Sequence, residues 1–115
     1  MTTEEFYNQI GGSWEEILKR IPLPSKVSKF VNMFLKDTNY SELKAAMEAE
    51  NTEEAFKAAH NLKGVSGNLA LVELTSAASD ITEALRAGDM SKAKEIMPTV
   101  IEKYEIVERL AKEIE

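Results

Sequence analysis

Apolar residues recur at intervals of three and four positions along this 115-residue chain, and this period constrains its fold more than any other feature. One stretch places a run of apolar side chains on a single helical side, namely Val27, Phe30, Val31, Phe34 and Leu35. No stretch shows the alternation of a half-buried strand. Because the long helices are apolar on one side only, they must bury those sides against each other, and the predicted fold class is all-α.

Breaks in this pattern divide the chain into seven predicted helices. In chain order they are Thr3–Ile10, Ser13–Arg20, Lys26–Lys36, Ser41–Ala49, a histidine-bearing helix that begins after Asn51, Glu73–Ala87 and Met90–Ile114. Ser25 is expected to cap the third helix, and Asp89 is expected to cap the last one. Gly88 is expected to end the helix Glu73–Ala87. Pro98 interrupts the last pattern, so we expect a kink or a restart near Met97.

The arrangement predicted for these helices is an antiparallel up-and-down four-helix bundle with additional short N-terminal helices. Short connections near Ala70 and Gly88 favour neighbouring helices that run in opposite directions. Residues 1–24 would cover one end of the bundle and residues 25–115 would form it. The length of the chain predicts a single domain, 1–115.

Composition excludes several classes of function. The chain has 20 acidic and 14 basic residues, a net charge of -6 and no cysteine. No nucleic-acid partner is expected, because such binding needs a concentrated basic face. No apolar run approaches the roughly 18 residues of a membrane span, and the N-terminus does not resemble a signal peptide. The expectation is a cytoplasmic protein without a membrane partner.

The only histidine, His60, is predicted to face solvent. At about 100° per residue, small and apolar residues lie opposite it, and they are Ala55, Ala58, Leu62, Ser66 and Leu69. The residues near its own side of the helix include Phe56, Lys57, Lys63, Gly64 and Gly67. An ordinary surface histidine would lie in the same way, so exposure alone does not assign a function.

Glycines beside the histidine favour a functional interpretation. Each glycine costs about 1 kcal/mol relative to alanine inside a helix, and Gly64 and Gly67 both lie near the face of His60. A close approach of another molecule to the bare backbone would explain this loss. The alternative is that the helix ends near Gly67.

The run Ala59–Leu69 resembles the signature of histidine-containing phosphotransfer (HPt) domains. In that family a histidine is followed by any residue, a hydrophobic residue and Lys-Gly, and then by small residues and a hydrophobic one. The matching residues are His60, Leu62, Lys63, Gly64, Ser66 and Leu69, with Asn68 before the last of them. The family usually has glycine where this chain has Ala70, a departure that concerns the helix end, since a left-handed cap residue favours glycine.

This resemblance implies a phosphocarrier without kinase activity of its own. His60 would carry the phosphoryl group on its outer ring nitrogen, Lys63 would screen the phosphoryl charge, and Gly64 would leave room for the phosphate or the partner. Lys63 is otherwise a solvated surface lysine. The chain shows neither a Gly-rich phosphate loop nor a cluster of metal ligands, so no cofactor is expected in it.

The resemblance also implies a polar side chain on the next helix that orients the histidine ring, commonly glutamine. The candidates here are Thr82 and Glu83, and neither is glutamine. Arg86, one turn further on, would add positive charge beside the phosphoryl group. Its alternative interpretation is a surface arginine stabilised by the C-terminus of its helix.

A docking surface is expected around His60. Phe56 would be its apolar anchor, with Lys57 and Gly67 beside it, and the alternative is that Phe56 packs under the N-terminal helices. The first helix is expected to line the same surface beside His60 with Phe6, Tyr7 and Ile10. Trp14 is expected in the core.

The implied partner is the receiver domain of a response regulator or of a hybrid histidine kinase. That domain would carry the acceptor aspartate and supply Mg²⁺. The interface would be small and transient, and a monomer is the expected state. One alternative is a receiver-docking adaptor that is not phosphorylated. Another is a module of a larger hybrid kinase, which the N-terminal Met1 slightly disfavours. A third is a helical enzyme, which would need more convergent polar groups than the sequence offers.

Overall fold

The structure is a computed structural model that describes residues 1–115, and it contains seven α-helices and no strand. The helices are α1 (Thr3–Gln9), α2 (Trp14–Arg20), α3 (Pro24–Leu35), α4 (Asn39–Glu48), α5 (Thr52–Asn68), α6 (Val72–Arg86) and α7 (Met90–Ala111). Each predicted helix overlaps one of these, so the all-helical class is confirmed. None of the seven is both long enough and apolar enough to cross a membrane.

Side chains from all seven helices meet in one hydrophobic cluster of 30 buried residues. α5 packs against α4 and α6, and α6 also packs against α7. α3 packs against α1, α2 and α7. The apolar stripe predicted for α6 is buried throughout, with Leu74, Ala77, Ala78, Ile81, Ala84 and Leu85 in the core. With α4 and α6 against it, α5 keeps one side for solvent.

The start of α3 differs from the prediction. Leu23 is the N-cap residue, no side chain caps the helix, and Pro24 occupies the first turn. The prediction that Ser25 is the cap is therefore wrong, because proline suits a first turn where its missing N–H has no intrahelical partner. Phe30 is also more exposed than predicted, at 42 %, since it lies on the edge of the stripe that α1, α2 and α7 cover.

The connection between α6 and α7 follows the predicted signals. Gly88 has a φ of 72° and ends α6. The side chain of Asp89 accepts a hydrogen bond from the backbone N–H of Lys92 at 3.0 Å and caps α7. α7 continues through the exposed Pro98 as one helix, so the restart considered near Met97 does not occur. Buried residues on both sides of the proline hold the helix in register.

The connection between α5 and α6 turns on a left-handed alanine. Ala70 has a φ of 55°, the conformation for which the resemblance anticipated glycine. The N–H of Ala70 donates to the carbonyl of Gly67 and that of Leu71 donates to the carbonyl of Ser66, both at 3.0 Å. These two bonds form a Schellman motif, which ends α5 and reverses the chain into α6.

The N-terminal helices hold this turn by hydrogen bonds. The hydroxyl of Tyr7 donates to the carbonyl of Leu69 at 2.7 Å, and the N–H of Ser13 donates to the carbonyl of Ala70 at 2.9 Å. Burial raises the pKa of Tyr7 well above its usual value, so the phenol stays neutral and remains a donor. The end of the histidine helix is therefore fixed by residues far away in the sequence.

Two tyrosine hydroxyls offer a matched test of this anchor. Tyr7→Phe should lower the free energy of unfolding by about 1–2 kcal/mol, because it leaves the carbonyl of Leu69 without a partner. Tyr40→Phe should change it little or raise it, because the buried hydroxyl of Tyr40 has no hydrogen-bond partner to lose. Urea denaturation of both variants measures the difference. Equal losses would contradict an anchoring role for Tyr7.

Candidate functional site

The helix that carries the histidine begins as predicted. The side chain of Asn51 accepts a hydrogen bond from the backbone N–H of Glu54 at 3.1 Å, and Glu53 and Glu54 place negative charge in the first turn. Lys57 lies one turn further and pairs with these two carboxylates at 3.8 and 3.5 Å. All three side chains are exposed, so the pairs contribute little to stability, but they orient Lys57 along its own helix.

His60 is exposed near the middle of α5, which confirms the helical-wheel prediction. The face opposite the imidazole is buried, and its residues are Ala55, Ala58, Ala59, Leu62 and Ser66. The predicted neighbours of His60 are exposed or half-buried, and they are Phe56, Lys57, Lys63, Gly64 and Gly67. The ring is therefore accessible to a second protein.

Aromatic and cationic side chains form a row beside the imidazole. The rings of Phe56 and His60 stack, with centroids 5.9 Å apart and planes 18° apart. The guanidinium of Arg86, which comes from α6, lies over the ring of Phe56 at 5.1 Å. Glu83 holds Arg86, since its carboxylate accepts a hydrogen bond from Nε at 3.3 Å. We call His60, Phe56, Arg86 and Glu83 the stacked row.

Lys63 is half-buried and lies one turn after His60, toward the C-terminal end of α5. It lines a groove of about 390 Å³ between α2, α5 and α6, together with Arg20, Gly67 and Asp80. No ion pair of the chain includes Lys63. Its ammonium group is thus available to an anion that enters beside the helix.

The two glycines on this face have different surroundings. Gly64 lies inside α5, and a Cβ added there would meet no atom within 4 Å, so nothing in the chain requires glycine. Gly67 lies in the last turn, as α5 ends at Asn68, and a Cβ there would lie 3.5 Å from a methyl group of Thr75. The alternative that α5 ends near Gly67 is confirmed, and a Cβ at this position would make an ordinary van der Waals contact.

The candidates for orienting the imidazole are engaged elsewhere. Thr82 is fully buried, and its hydroxyl donates to the carbonyl of Ala78 at 2.6 Å. Glu83 is exposed and binds Arg86 instead. Neither forms a hydrogen bond with His60, and the assignment of either as the ring-orienting residue stays a prediction.

Two expectations about the N-terminal helices need correction. Phe6, Tyr7 and Ile10 are buried in the core, so they do not line an exposed groove beside His60. They are buried because α1 packs its apolar side inward. Trp14 is only half-buried, and its ring lies tilted against that of Tyr7 at 5.7 Å, at the margin of the core.

Sequence reasoning missed the role of Arg20. Its guanidinium donates to the carbonyls of Gly67 and Asn68 at 2.7 and 3.0 Å and closes the groove that contains Lys63. The contact of Arg86 with Phe56 was also missed. Both contacts join helices, and no local pattern in the sequence signals them.

No three histidine, cysteine, aspartate or glutamate side chains lie together as ligands for a metal ion. The groups around the imidazole are an aromatic ring, three cations, the carboxylate of Glu83 and exposed helix backbone. Such a set can accept an anionic group on a ring nitrogen and balance part of its charge.

Comparison with known proteins identifies the family. Residues 30–115 match the family model of the Hpt domain, from within α3 to the end of the chain. The chain belongs to the Hpt domain family. Neither the curated proteins nor the solved structures contain a match to it. The match to the family model confirms the family predicted from the Ala59–Leu69 run. Hpt domains are phosphocarriers of two-component signalling and generally interact with receiver domains.

Two glycines with open surroundings provide a matched stability test. Gly64→Ala should raise the free energy of unfolding by about 1 kcal/mol, because alanine is the better helix former and meets no neighbour. Gly88→Ala should lower it by about 1 kcal/mol, because its φ of 72° disfavours a Cβ although space is open. Thermal or urea denaturation would measure both. Destabilisation by Gly64→Ala would mean that the chain itself needs this glycine.

Proposed function

We propose that this chain is a histidine phosphotransfer protein of a two-component phosphorelay, in which His60 accepts a phosphoryl group from one receiver-domain aspartate and donates it to another. The observation that supports this most directly is the accessible imidazole of His60, one turn from Lys63, which forms no ion pair within the chain. The family match supports the general role.

The transfer requires no oxidant, reductant or resident cofactor. A lone pair on the outer ring nitrogen of His60 attacks phosphorus, the P–N bond forms, and the bond from phosphorus to the aspartate oxygen breaks to release the carboxylate. Donation runs the same step in reverse toward a second aspartate. Mg²⁺ and its carboxylate ligands belong to the receiver domain, and the carrier acts without kinase activity of its own.

Positive charge near the histidine suits a phosphoryl group. Lys63 would screen the phosphoryl oxygens from the side of the groove. Arg86 would add charge from the stacked row. In a chain of net charge -6, these local cations would attract an acidic active site toward His60 rather than elsewhere on the surface.

The docking surface of this proposal surrounds His60. Gly64 supports it, because the helix gives up stability at an exposed position where the chain has no neighbour of its own. Phe56, Lys57 and Gly67 would lie beneath the partner around the ring. A small and transient interface suits a carrier that must release each partner.

The fold completes the proposal. Residues 25–115 would form an antiparallel up-and-down bundle in which α3 and α4 together supply one member and α5, α6 and α7 the others. Residues 1–24 would cover the end where α5 turns into α6, so that 1–115 is one domain. We further propose that the protein acts as a monomer in the cytoplasm.

Transfer from a phosphorylated receiver domain in the presence of Mg²⁺ tests the function. Intact-mass analysis should show an acid-labile gain of one phosphoryl group, and His60→Gln should abolish it while the circular dichroism spectrum stays unchanged. Binding of several receivers without transfer would favour the alternative, a receiver-docking adaptor. Transfer that persists in His60→Gln would place the phosphoryl group on another residue.

Paired lysine variants test the charge near the site. Lys63→Ala should slow acceptance by about ten- to a hundredfold, somewhat less than the loss of a donor in a closed oxyanion site. Lys112→Ala, which removes an exposed lysine beyond the end of α7, should leave the rate unchanged. Transfer reactions that are quenched at successive times, at several salt concentrations, measure the rate of acceptance of both variants. Equal rates for the two variants would remove Lys63 from the proposed machinery.

A further inference from the structure

The imidazole of His60 has an aromatic partner on its own helix. Its ring stacks on that of Phe56 with a centroid distance of 5.9 Å and an angle of 18° between the planes. Side chains of a helix lean toward its N-terminus, so a residue covers the one four positions earlier. The stack therefore lies in the direction that the helix itself gives to His60.

Phe56 is held in turn by the next helix. The guanidinium of Arg86 lies 5.1 Å from the centroid of the phenyl ring, and the carboxylate of Glu83 fixes its Nε at 3.3 Å. A planar guanidinium stacks well on an aromatic face, which an ammonium group cannot do. The stacked row thus connects the orientation of His60 to α6 through an aromatic ring.

Neither Thr82 nor Glu83 on α6 forms a hydrogen bond with His60. Thr82 gives its hydroxyl hydrogen to Ala78, and the carboxylate of Glu83 is bound to Arg86. The contact that restrains the imidazole is therefore the aromatic stack. Stacking of this kind favours the paired rotamer by about two- to twelvefold beyond simple burial.

We propose that Phe56 is a positioning residue, which holds the imidazole of His60 in the orientation from which a ring nitrogen meets the phosphoryl group, and that Arg86 holds Phe56. This inference rests on the proposed phosphotransfer function. It assigns Phe56 a task within the chain, distinct from that of an apolar anchor for the partner.

The first test reads the ring directly. His60 is the only histidine, so its imidazole proton signals are unambiguous in an NMR spectrum. Phe56→Leu should move them downfield, because the ring current of the stacked phenyl group is lost, and Phe56→Tyr should restore the wild-type positions. Arg86→Met should produce a smaller shift in the same direction. Phe30→Leu on α3 is the matched control and should leave the signals unchanged.

The second test separates positioning from docking. Phe56→Leu should lower the rate of phosphoryl acceptance at saturating receiver by about two- to twelvefold with little change in apparent KM, and Phe56→Tyr should restore it. A raised KM with an unchanged saturating rate and unmoved imidazole signals would overturn the proposal and leave Phe56 as a docking contact.

The two tests also distinguish this inference from the proposed function. If the wild-type chain accepts no phosphoryl group, the proposed function fails, and unmoved imidazole signals in Phe56→Leu would overturn the positioning role separately. If Phe56→Leu lost its fold by circular dichroism, Arg86→Met would carry the NMR measurement, because Arg86 is exposed and its loss leaves the core intact.

Discussion

The carbonyl groups at the end of the histidine helix and in the turn that follows it are the constraint on which the rest of the structure depends. The final turn of any helix leaves carbonyls without intrahelical partners. Here the carbonyls of residues 67–70 receive donors from the N-terminal segment, with Arg20 on the first two, Tyr7 on the third and Ser13 on the fourth. α1 and α2 are therefore part of the machinery that sets the direction of α5 and α6, although the family match begins only at residue 30.

A fixed α5–α6 pair in turn determines which residues surround the histidine. Both helices present many alanines to each other and to the core, so their axes can approach closely. This closeness lets Arg86 on α6 reach the ring of Phe56 on α5 and brings Lys63 to a groove that α2 closes. The charges near His60 thus come from α5 and α6, and their placement depends on the turn at Ala70.

Local signals in the sequence predicted most of what is local in the structure. The apolar period gave the seven helices, the wheel around His60 gave its exposed face, and Gly88 with Asp89 gave one connection correctly. The start of α3 was missed because proline and serine both favour a first turn and only the fold selects between them. The contacts of Arg20 and Arg86 were missed because they depend on which helices pack together. The exposure of Phe30 was missed because this residue lies on the edge of the stripe that α1, α2 and α7 cover.

An exposed phosphocarrier histidine faces two requirements that oppose each other. It must be accessible to a partner, and it must hold one orientation, although an exposed side chain ordinarily rotates freely. A hydrogen bond to the imidazole would orient it but would also occupy one of its two nitrogens. Stacking engages the face of the ring instead, and both nitrogens lie at its edge. Phe56 beneath His60 therefore reconciles orientation with access, and Arg86 gives the arrangement a support outside the helix.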